Sequence, residues 1–396
     1  MRRHIIIYIS AVMTLLTGLA ACSEAVELCE EKNYPHSHFS DLRVTFDWTG
    51  FNSYNKPDSM LVFAEKLVDR ENCGFVVDLK TNKGEYLYNA FEDTVPVIEE
   101  DGKSYSTMKV YPGKYAVMTF NHSRGEYDYH GVDEYFLDRS DSTNLDSIYI
   151  QYRSYVMDDP NLKKYVETWT DFNPYSKYVQ SDATPFVYAV SDVIDCEIGG
   201  SQPVVFRPKS FMQLITFSFT IQKQMDAATR FMVDSVHLEV SGVPSRFYLM
   251  NGRIDVRKTY KMLAKPLYLS QTENYANGNL KCEIYFNAPG LVPPINTTTA
   301  LGPGIAIVKV FLHTESEPTK ARMVNAFINL YNTISKSPMI KMNEENTYGE
   351  LRSQYHRIEV DVPLKINSKT IIEAEENPNN NYDRWNACET NIDVDI

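Results

Sequence analysis

The sequence lacks any long apolar run beyond its N-terminus. After residue 21, no stretch of the 396-residue chain approaches the ~18 apolar residues that a membrane-spanning helix needs. At the N-terminus, Arg2 and Arg3 precede an almost entirely apolar run over residues 5–20. That run is too short and wrongly flanked for a stable span, and it is typical of a signal peptide. The sequence therefore predicts an exported protein.

The chain also lacks the short motifs of common catalytic sites. It contains no GxSxG, HExxH, P-loop or GxGxxG pattern. Neighbouring carboxylates such as Glu99 and Glu100 arise by chance in an acidic chain and do not indicate a glycosidase pair. We therefore predict that the protein is not an enzyme, has no catalytic residues and uses no cofactor.

Positive charge is scarce. The chain has 39 lysines and arginines against 52 aspartates and glutamates, and its net charge is −13. Loss of Arg2 and Arg3 with a signal peptide changes this charge to −15. Nucleic acid is bound through basic patches, so we predict no nucleic-acid partner. An acidic chain is also repelled by an anionic membrane surface, so a lipid has to provide the anchor.

Cysteine is rare and irregularly spaced. Besides Cys22, the chain has Cys29, Cys73, Cys196, Cys282 and Cys388, with no CxxC pair. This spacing indicates neither a zinc ribbon nor a thioredoxin-like site. In an oxidising envelope, one or two disulfides are one interpretation, and five buried thiols are the other.

The predicted signal peptide ends in a recognisable motif, Leu19-Ala20-Ala21-Cys22. This motif looks like a bacterial lipobox, in which small residues precede a cysteine that is acylated before cleavage. We predict a signal peptide over residues 1–21, a lipid that includes palmitate on Cys22, and a polar tether over 22–40. Each buried methylene contributes about 0.8 kcal/mol, so several acyl chains anchor durably. The expected location is the outer membrane, at the cell surface; an ordinary secretory signal cut nearby is the alternative.

Alternating apolar residues dominate the remaining sequence. Leu42, Val44, Phe46 and Trp48 alternate with polar residues, which predicts a first strand with these four side chains directed to one face. We expect Phe46 and Trp48 to be core residues of a first domain over residues 41–200. The alternation restarts near residue 200, so a second domain is predicted over 201–396. Many short strands separated by turn signals predict an all-β fold of two tandem β-sandwiches.

In the second half, the alternation is strongest over residues 211–221, where Phe217 and Phe219, or the residues that alternate with them, are expected in the core. Residues 306, 308, 310 and 312 form a second inward face. Residues 241–244 are predicted to be a turn, and residues 320–334 are ambiguous between helix and strand.

Several motifs, taken in order, resemble the fimbrillin-like lipoproteins of Bacteroidota-type bacteria. They are Pro35-His36-Ser37-His38 after Cys29, Val44-Thr45-Phe46-Asp47-Trp48, Tyr111-Pro112-Gly113-Lys114-Tyr115, Val240-Ser241-Gly242-Val243-Pro244 and Tyr382-Asp383-Arg384-Trp385. The resemblance spans most of the chain and is closest to the anchoring and accessory subunits of type V pili. It implies two transthyretin-like β-sandwich domains and assembly with pilin subunits by strand exchange. Retention of Cys22 favours an anchor or a stand-alone adhesin over a shaft subunit.

The end of the chain bears on how such strand exchange would work. Residues 371–396 combine a polar link with an alternating apolar ending, so this segment either folds back onto its own domain or is donated to a partner. If it folds back, a partner strand is expected at another open edge, in the first domain.

The alternative function is that of a surface glycan-binding lipoprotein of a nutrient-uptake system. The sequence does not identify a host or glycan ligand. Exposed tryptophan and tyrosine rings that stack on sugars would be its mark. The chain has 27 tyrosines but only three tryptophans. We expect Trp169 to be the exposed one and Trp385 to be buried.

The triplets Asp141-Ser142-Thr143 and Asp146-Ser147-Ile148 look like the O-glycosylation acceptor pattern of these bacteria. Both fall in a polar loop, so Ser142 and Ser147 are possible O-glycosylation sites. His36 and His38 form an HxH pair without a recognisable third ligand, and the acidic segment 127–147 lacks the glycine and closing glutamate of a calcium loop. We therefore predict no metal site.

The anchor is directly testable. Replacing Cys22 with alanine removes the predicted acylated thiol, so Cys22→Ala should abolish palmitate labelling and leave the protein soluble or unprocessed. Cell fractionation measures this, and Cys29→Ala is the matched control that should stay in the outer membrane. Outer-membrane retention of Cys22→Ala at the wild-type level would contradict the prediction.

Overall fold

A computed structural model describes residues 39–51, 56–67, 72–79, 83–88, 98–100, 103–121, 126–130, 145–154, 177–180, 185–226, 229–269, 278–298, 302–336, 338–352, 355–376, 382–384 and 390–393. The chain packs as two compact units. Unit 1 takes the described parts of residues up to Asp47, Val62–Val117 and Ser191–Phe206, and unit 2 takes those of Trp48–Leu61, Met118–Val190 and Arg207–Ile396. Strands dominate both units, which confirms the all-β prediction. The domain boundary at residue 200 and the transthyretin-like topology stay predictions.

The strands of the first half of the chain are β1 (Ser40–Phe46), β2 (Ser59–Lys66), β3 (Asn72–Asp78), β4 (Lys83–Tyr88), β5 (Ile98–Glu100), β6 (Lys103–Val110), β7 (Gly113–Asn121), β8 (Tyr127–His130), β9 (Tyr149–Tyr152), β10 (Tyr178–Gln180), β11 (Val187–Val190), β12 (Ile194–Cys196), β13 (Ser201–Phe206) and β14 (Lys209–Ser210). The later strands are β15 (Gln213–Gln224), β16 (Phe231–Tyr248), β17 (Arg253–Leu263), β18 (Leu267–Tyr268), β19 (Gly278–Ala288), β20 (Ile305–Thr314), β21 (Glu317–Asn329), β22 (Ile340–Met342), β23 (Tyr348–Leu351), β24 (Tyr355–Val360), β25 (Leu364–Asn367), β26 (Tyr382–Arg384) and β27 (Thr390–Asp393). The helices are α1 (Tyr331–Lys336), α2 (Ser368–Glu376) and a 3-10 helix at Leu145–Ser147.

Strand β1 lies inside a sheet of unit 1, parallel to β13 and antiparallel to β6. Leu42 and Val44 are buried, as the alternation predicts. Phe46 is only half-buried and stacks on Phe206, with their ring centroids 5.7 Å apart. The prediction that Phe46 is a core residue is wrong, because β1 ends there and the side chain stays partly exposed.

Trp48 is not a core residue either, contrary to the prediction. It follows the end of β1 and is half-buried. Its ring meets Phe51 edge-on at 5.0 Å, and the Lys56 ammonium lies 4.9 Å from the centre of the same ring. The period-two pattern thus continues in the sequence beyond the point where the strand stops.

Strand β16 is the centre of the larger sheet of unit 2. Its 18 residues pair antiparallel with β17 on one side and with β20 on the other, and β20 pairs in turn with β21. The predicted inward face of β20 is confirmed, since residues 306, 308, 310 and 312 are fully buried. The alternation therefore identified β20, the strand that pairs with the central strand β16 of this sheet.

The predicted turn at residues 241–244 does not form. Strand β16 runs through it with register shifts between Ser241 and Val243 and between Pro244 and Arg246. Gly242 absorbs the first shift at a φ of +87°, a left-handed conformation that glycine adopts readily. A side chain at this position would also meet the backbone of Gly304 at 2.5 Å. The turn-like residues therefore mark a β-bulge and a close approach of two segments.

The ambiguous segment over residues 320–334 contains both elements. Strand β21 occupies its first part and helix α1 its end. The Asn329 side chain accepts a hydrogen bond from the Tyr331 N–H, which satisfies a backbone donor at the start of α1. The sequence was ambiguous because a short helix directly follows the strand.

The smaller sheet of unit 2 is organised around β15. This strand pairs antiparallel with β19 and parallel with β24 and β25. Phe217 and Phe219 are buried, which confirms both as core residues. At the chain end, β26 pairs with β21 and β27 pairs with β24, so the described strands of the closing segment pair within their own unit. Trp385 lies outside the described residues.

Two cysteines of the described part, Cys196 and Cys282, are buried and belong to no disulfide. Burial raises the pKa of the Cys196 thiol to about 11, which keeps it protonated at neutral pH. The side chains of Cys29, Cys73 and Cys388 lie outside the description, so disulfide pairing among them stays open. Within the described ranges, no helix is long and apolar enough to span a membrane.

Core packing around β15 is testable through Phe217. Truncation to alanine leaves a cavity between the sheets, so Phe217→Ala should lower the free energy of unfolding by about 3–5 kcal/mol. Chemical denaturation measures the change. Tyr285→Ala on the neighbouring strand β19 is the control, because Tyr285 is 55% exposed and its loss should cost about 0.5 kcal/mol or less. Equal losses in both variants would contradict the assignment of Phe217 to the core.

A buried histidine makes stability depend on pH. His356 on β24 is 1% exposed, neither ring nitrogen has a hydrogen-bond partner in the described part, and burial lowers its pKa to about 4. The unfolded chain binds this proton near pH 6.5, so the stabilisation is complete above that pH and is lost as the pH falls towards 4. Between pH 7 and 5, the free energy of unfolding should fall by on the order of 1 kcal/mol more in the wild type than in His356→Leu.

Urea denaturation at each pH measures this difference. His237, whose pKa burial also lowers to about 4, remains in both proteins and accounts for a residual slope. Parallel curves for the wild type and His356→Leu would show that His356 is not the group responsible.

Candidate functional site

One face of the larger sheet of unit 2 carries aromatic and basic side chains in register. Across β9, β16, β17 and β23, one row aligns Gln151 with Arg246, Arg246 with Asp255, and Asp255 with Tyr348. The next row aligns Tyr149 with Tyr248. We call Tyr149, Gln151, Arg246, Tyr248 and Tyr348 the aromatic face; all five are half-buried.

The opposite side of the same strands explains why this face forms. Ile150, Phe247 and Ile254 alternate with the residues of the aromatic face and are completely buried. Successive side chains of a strand point to opposite faces, so burying these three places their neighbours at the surface. The core thereby fixes the backbone that presents the aromatic face.

Contacts hold the aromatic face in one arrangement. The Arg246 guanidinium lies 4.7 Å from the centre of the Tyr149 ring, and its Nε donates to the Gln151 side-chain oxygen at 2.8 Å. Tyr149 and Tyr348 each lie 5.6 Å from Tyr248, measured between ring centroids. Cation–π and aromatic pairs of this kind contribute about 0.5–1.5 kcal/mol each, so the rings are preorganised.

Asp255 stabilises the end of this face. It is 1% exposed, and Arg257 donates to its two carboxylate oxygens at 2.9 and 3.0 Å. Burial opposes ionisation of Asp255, but the hydrogen bonds from Arg257 outweigh it and hold its pKa below the usual value. The Arg257 guanidinium also lies 5.1 Å from the Tyr348 ring centre. Asp255 therefore positions a cation beside that ring.

The aromatic face continues into a cavity through Gln151. The Gln151 amide donates to the Tyr260 hydroxyl at 2.7 Å, and the Lys177 ammonium lies 5.6 Å from the Tyr260 ring centre. Beside them is a cavity of about 290 Å³, which we call the Tyr260 cavity. It is lined by Lys177, Ser241, Gly242, Thr259, Tyr260, Lys261, Gly302 and Pro303.

The charges at this site are unevenly compensated. Lys261 forms an ion pair with Glu239 at 2.6 Å. In the described part of the chain, neither Lys177 nor Arg246 forms an ion pair with a carboxylate, and Lys177 is exposed. Arg246 lies opposite Asp255 in the register and its charge helps to lower the pKa of that carboxyl, so Lys177 is the cation of this site with no carboxylate partner in the described part of the chain.

A second kind of candidate site is an open sheet edge. Strand β19 pairs with β15 over 11 aligned residues without a bulge, and no described strand pairs with its other side. Leu280, Cys282 and Ile284 are buried, whereas Tyr285 is 55% exposed. In an antiparallel pair only alternate backbone groups bond to the neighbour, so the remaining groups of β19 point away from β15.

The described edge at β13 of unit 1 is less open. The Asp41 N–H donates to the Gly200 carbonyl and the Asp47 N–H to the Phe206 carbonyl, so the even-numbered residues of β13 bond to β1. The backbone groups of residues 201, 203 and 205 therefore point outward. Residue 203 is proline and has no N–H to donate. An added strand would therefore lack one backbone hydrogen bond at this edge, which disfavours its addition.

The structure places few of the site residues predicted from sequence. Cys22, Ser142, Trp169 and the pair His36 and His38 lie outside the described residues. Ser147 is exposed at the end of the 3-10 helix, and its glycosylation stays a prediction. Among the described residues, no three His, Cys, Asp or Glu side chains group as a metal site.

Sequence reasoning missed the aromatic face and the Tyr260 cavity. The only signal was the count of 27 tyrosines, which indicates contact surfaces in general. Which tyrosines meet is decided by strand register between segments about 100 residues apart, such as those of Tyr149 and Tyr248. That register is not readable from local alternation.

Comparisons with known proteins give structural neighbours only. No protein-family model and no curated protein matches the chain. A candidate adhesin from Bacteroides ovatus is 10% identical, with a TM-score of 0.40 over 84% of this chain and 93% of that one. Candidate polysaccharide-binding proteins from Bacteroides thetaiotaomicron are 10% identical, with a TM-score of 0.42 over 82% and 92%.

The fimbrial anchor protein Mfa2 from Porphyromonas gingivalis is 9% identical to this chain. Its TM-score is 0.39, over 81% of this chain and 90% of that one. The three neighbours are thus a candidate adhesin, candidate polysaccharide-binding proteins and a fimbrial anchor.

Proposed function

We propose that this chain is a lipid-anchored subunit of a fimbrium-like assembly at the cell surface, and that it holds a pilin partner by β-strand complementation at β19. The observation that carries this proposal is that β19, 11 residues long, pairs with β15 on one side and with no described strand on the other. The lipid on Cys22 holds the subunit in the outer membrane. The role is one of binding and needs no catalytic residue.

The physical basis is the row of outward-pointing backbone groups on the side of β19 that no described strand pairs with. An added strand satisfies the outward N–H and C=O groups together, at a net gain of about 0.5–1.5 kcal/mol for each hydrogen bond. The bulge-free register keeps these groups evenly spaced along the edge. The buried residues of β19 hold the strand in place, so little order has to be created when a partner adds.

The chain's own ending is not the donor in this arrangement. Strand β27 pairs with β24, so it is already used inside unit 2. The edge at β13 is disfavoured because Pro203 removes a donor from its open side. Strand β19 is therefore the edge that we assign to the partner, in place of the first-domain edge expected from sequence.

Photo-crosslinking tests the assignment. A photoreactive phenylalanine analogue is introduced at Tyr285 of the full-length lipidated protein, which is expressed with a pilin encoded beside it. We expect a crosslink to the pilin from position 285, because Tyr285 is exposed on β19. Mass spectrometry of the adduct identifies the partner segment.

The matched control carries the same analogue at Val205, which is 57% exposed on the edge strand β13. This position should give no pilin adduct. Co-purification with an adduct at 205 but not at 285 would overturn the choice of edge. Absence of any complex with wild-type protein would replace the fimbrial role with that of a stand-alone adhesin.

A further inference from the structure

The Tyr260 cavity combines features that suit a sugar. Its volume of about 290 Å³ lies near the lower end of the range for small-molecule sites, ~300–1,000 Å³. The Lys177 ammonium and the Thr259 hydroxyl offer hydrogen-bond donors, and the buried Tyr260 ring forms part of the cavity wall. The hydroxyl groups of a sugar ring can accept hydrogen bonds from these donors.

The charge of the cavity narrows the ligand class. Glu239 neutralises Lys261, whereas Lys177 has no ion pair in the described part of the chain and is held over Tyr260. The cavity therefore presents about one positive charge that protein carboxylates do not compensate. One carboxylate on a sugar balances that charge and accepts a charge-assisted hydrogen bond from the ammonium group.

The aromatic face extends this site beyond one sugar residue. Gln151 joins Tyr260 to Arg246, and Arg246 lies over Tyr149, so rings and a second cation follow the cavity in an unbroken series of contacts. Neighbouring strands are about 4.8 Å apart, which sets the spacing of side chains along the series. A chain of sugar residues has a repeating apolar and polar surface that matches such a series.

An acidic peptide fits less well. Peptides commonly add to sheets through free backbone groups, but the backbone of β16 beside the cavity is already paired. Gly242 O accepts from the Val292 N–H, and Ser241 O accepts from the Gly304 N–H. The groups that remain available are side chains, which favours a ligand read by side chains alone.

We propose that the Tyr260 cavity binds a saccharide residue that carries a carboxylate, with Lys177 contacting the carboxylate and the aromatic face contacting the adjoining sugar residues. This site is separate from the β19 edge. It neither requires nor excludes a role in a fimbrium.

Calorimetric titration of the full chain with oligogalacturonate, and with the same oligomer as its methyl ester, tests the charge requirement. The two probes differ only in the carboxylate charge. We expect the acid to bind at least tenfold more tightly than the ester. A panel of glucuronate-containing and sialylated oligosaccharides, each beside a neutral counterpart, extends the test to other acidic sugars.

Variants locate the site. Lys177→Met keeps the side-chain length and removes the charge, so it should weaken binding of the acidic oligomer about tenfold, whereas Lys177→Arg should retain most of it. Lys365→Met, at an exposed lysine on β25, is the control and should bind as the wild type does. Unchanged thermal unfolding of each variant confirms that the fold is intact.

Three results would overturn the proposal. The first is that no acidic saccharide of the panel binds more tightly than its neutral counterpart. The second is that Lys177→Met and Lys365→Met bind equally well. The third is that a polyglutamate peptide binds as tightly as the acidic oligosaccharides, because the surface would then respond to charge without recognising a sugar.

Discussion

The β-bulge at Gly242 is the constraint on which unit 2 depends. Strand β16 pairs with neighbours on both sides and must still bring Ser241 against the segment around Gly304. Only a residue without a side chain fits there, since a Cβ on Gly242 would meet the Gly304 backbone. The bulge shapes one wall of the Tyr260 cavity, and the strand beyond it presents Arg246 and Tyr248. Gly242 thus affects the packing of the sheet, the Tyr260 cavity and the aromatic face together.

Much of the strand content could be predicted because its cause is local. Burial of one face imposes alternation, so the inward residues of β20 and the phenylalanines of β15 are readable from the sequence. The predictions fail where the extent of a strand depends on its partner strands and not on its own sequence pattern. Trp48 continues the alternation after β1 has stopped, and residues 241–244 have turn-like composition inside a strand that two neighbours keep extended. In both cases the partner strands, and not the local sequence, decide where the strand ends.

The binding surface was less predictable than the fold for the same reason. Gln151, Arg246 and Tyr260 lie far apart in sequence, yet hydrogen bonds of 2.7 and 2.8 Å join them. No short motif contains all three. A count of tyrosines indicates that such surfaces exist, but only the register of β9, β16 and β17 shows which side chains meet. To predict the fold, it is enough to know which side chains of each strand are buried. To predict the binding surface, one must also know which strands pair, because the pairing decides which exposed side chains lie next to each other.

The two proposed sites use different chemical groups and therefore respond differently to ionic strength. Addition of a strand at β19 depends on backbone hydrogen bonds, which salt screens little. Capture of a carboxylate by Lys177 is electrostatic, and the acidic chain, with its net charge of −13, repels an acidic ligand at long range. At physiological salt the Debye length is about 8 Å, so this repulsion is largely screened beyond the cavity. Within the cavity the ammonium group contacts the ligand directly, and its attraction persists. An acidic surface protein can therefore bind an acidic saccharide, because screening weakens the distant repulsion more than the local contact.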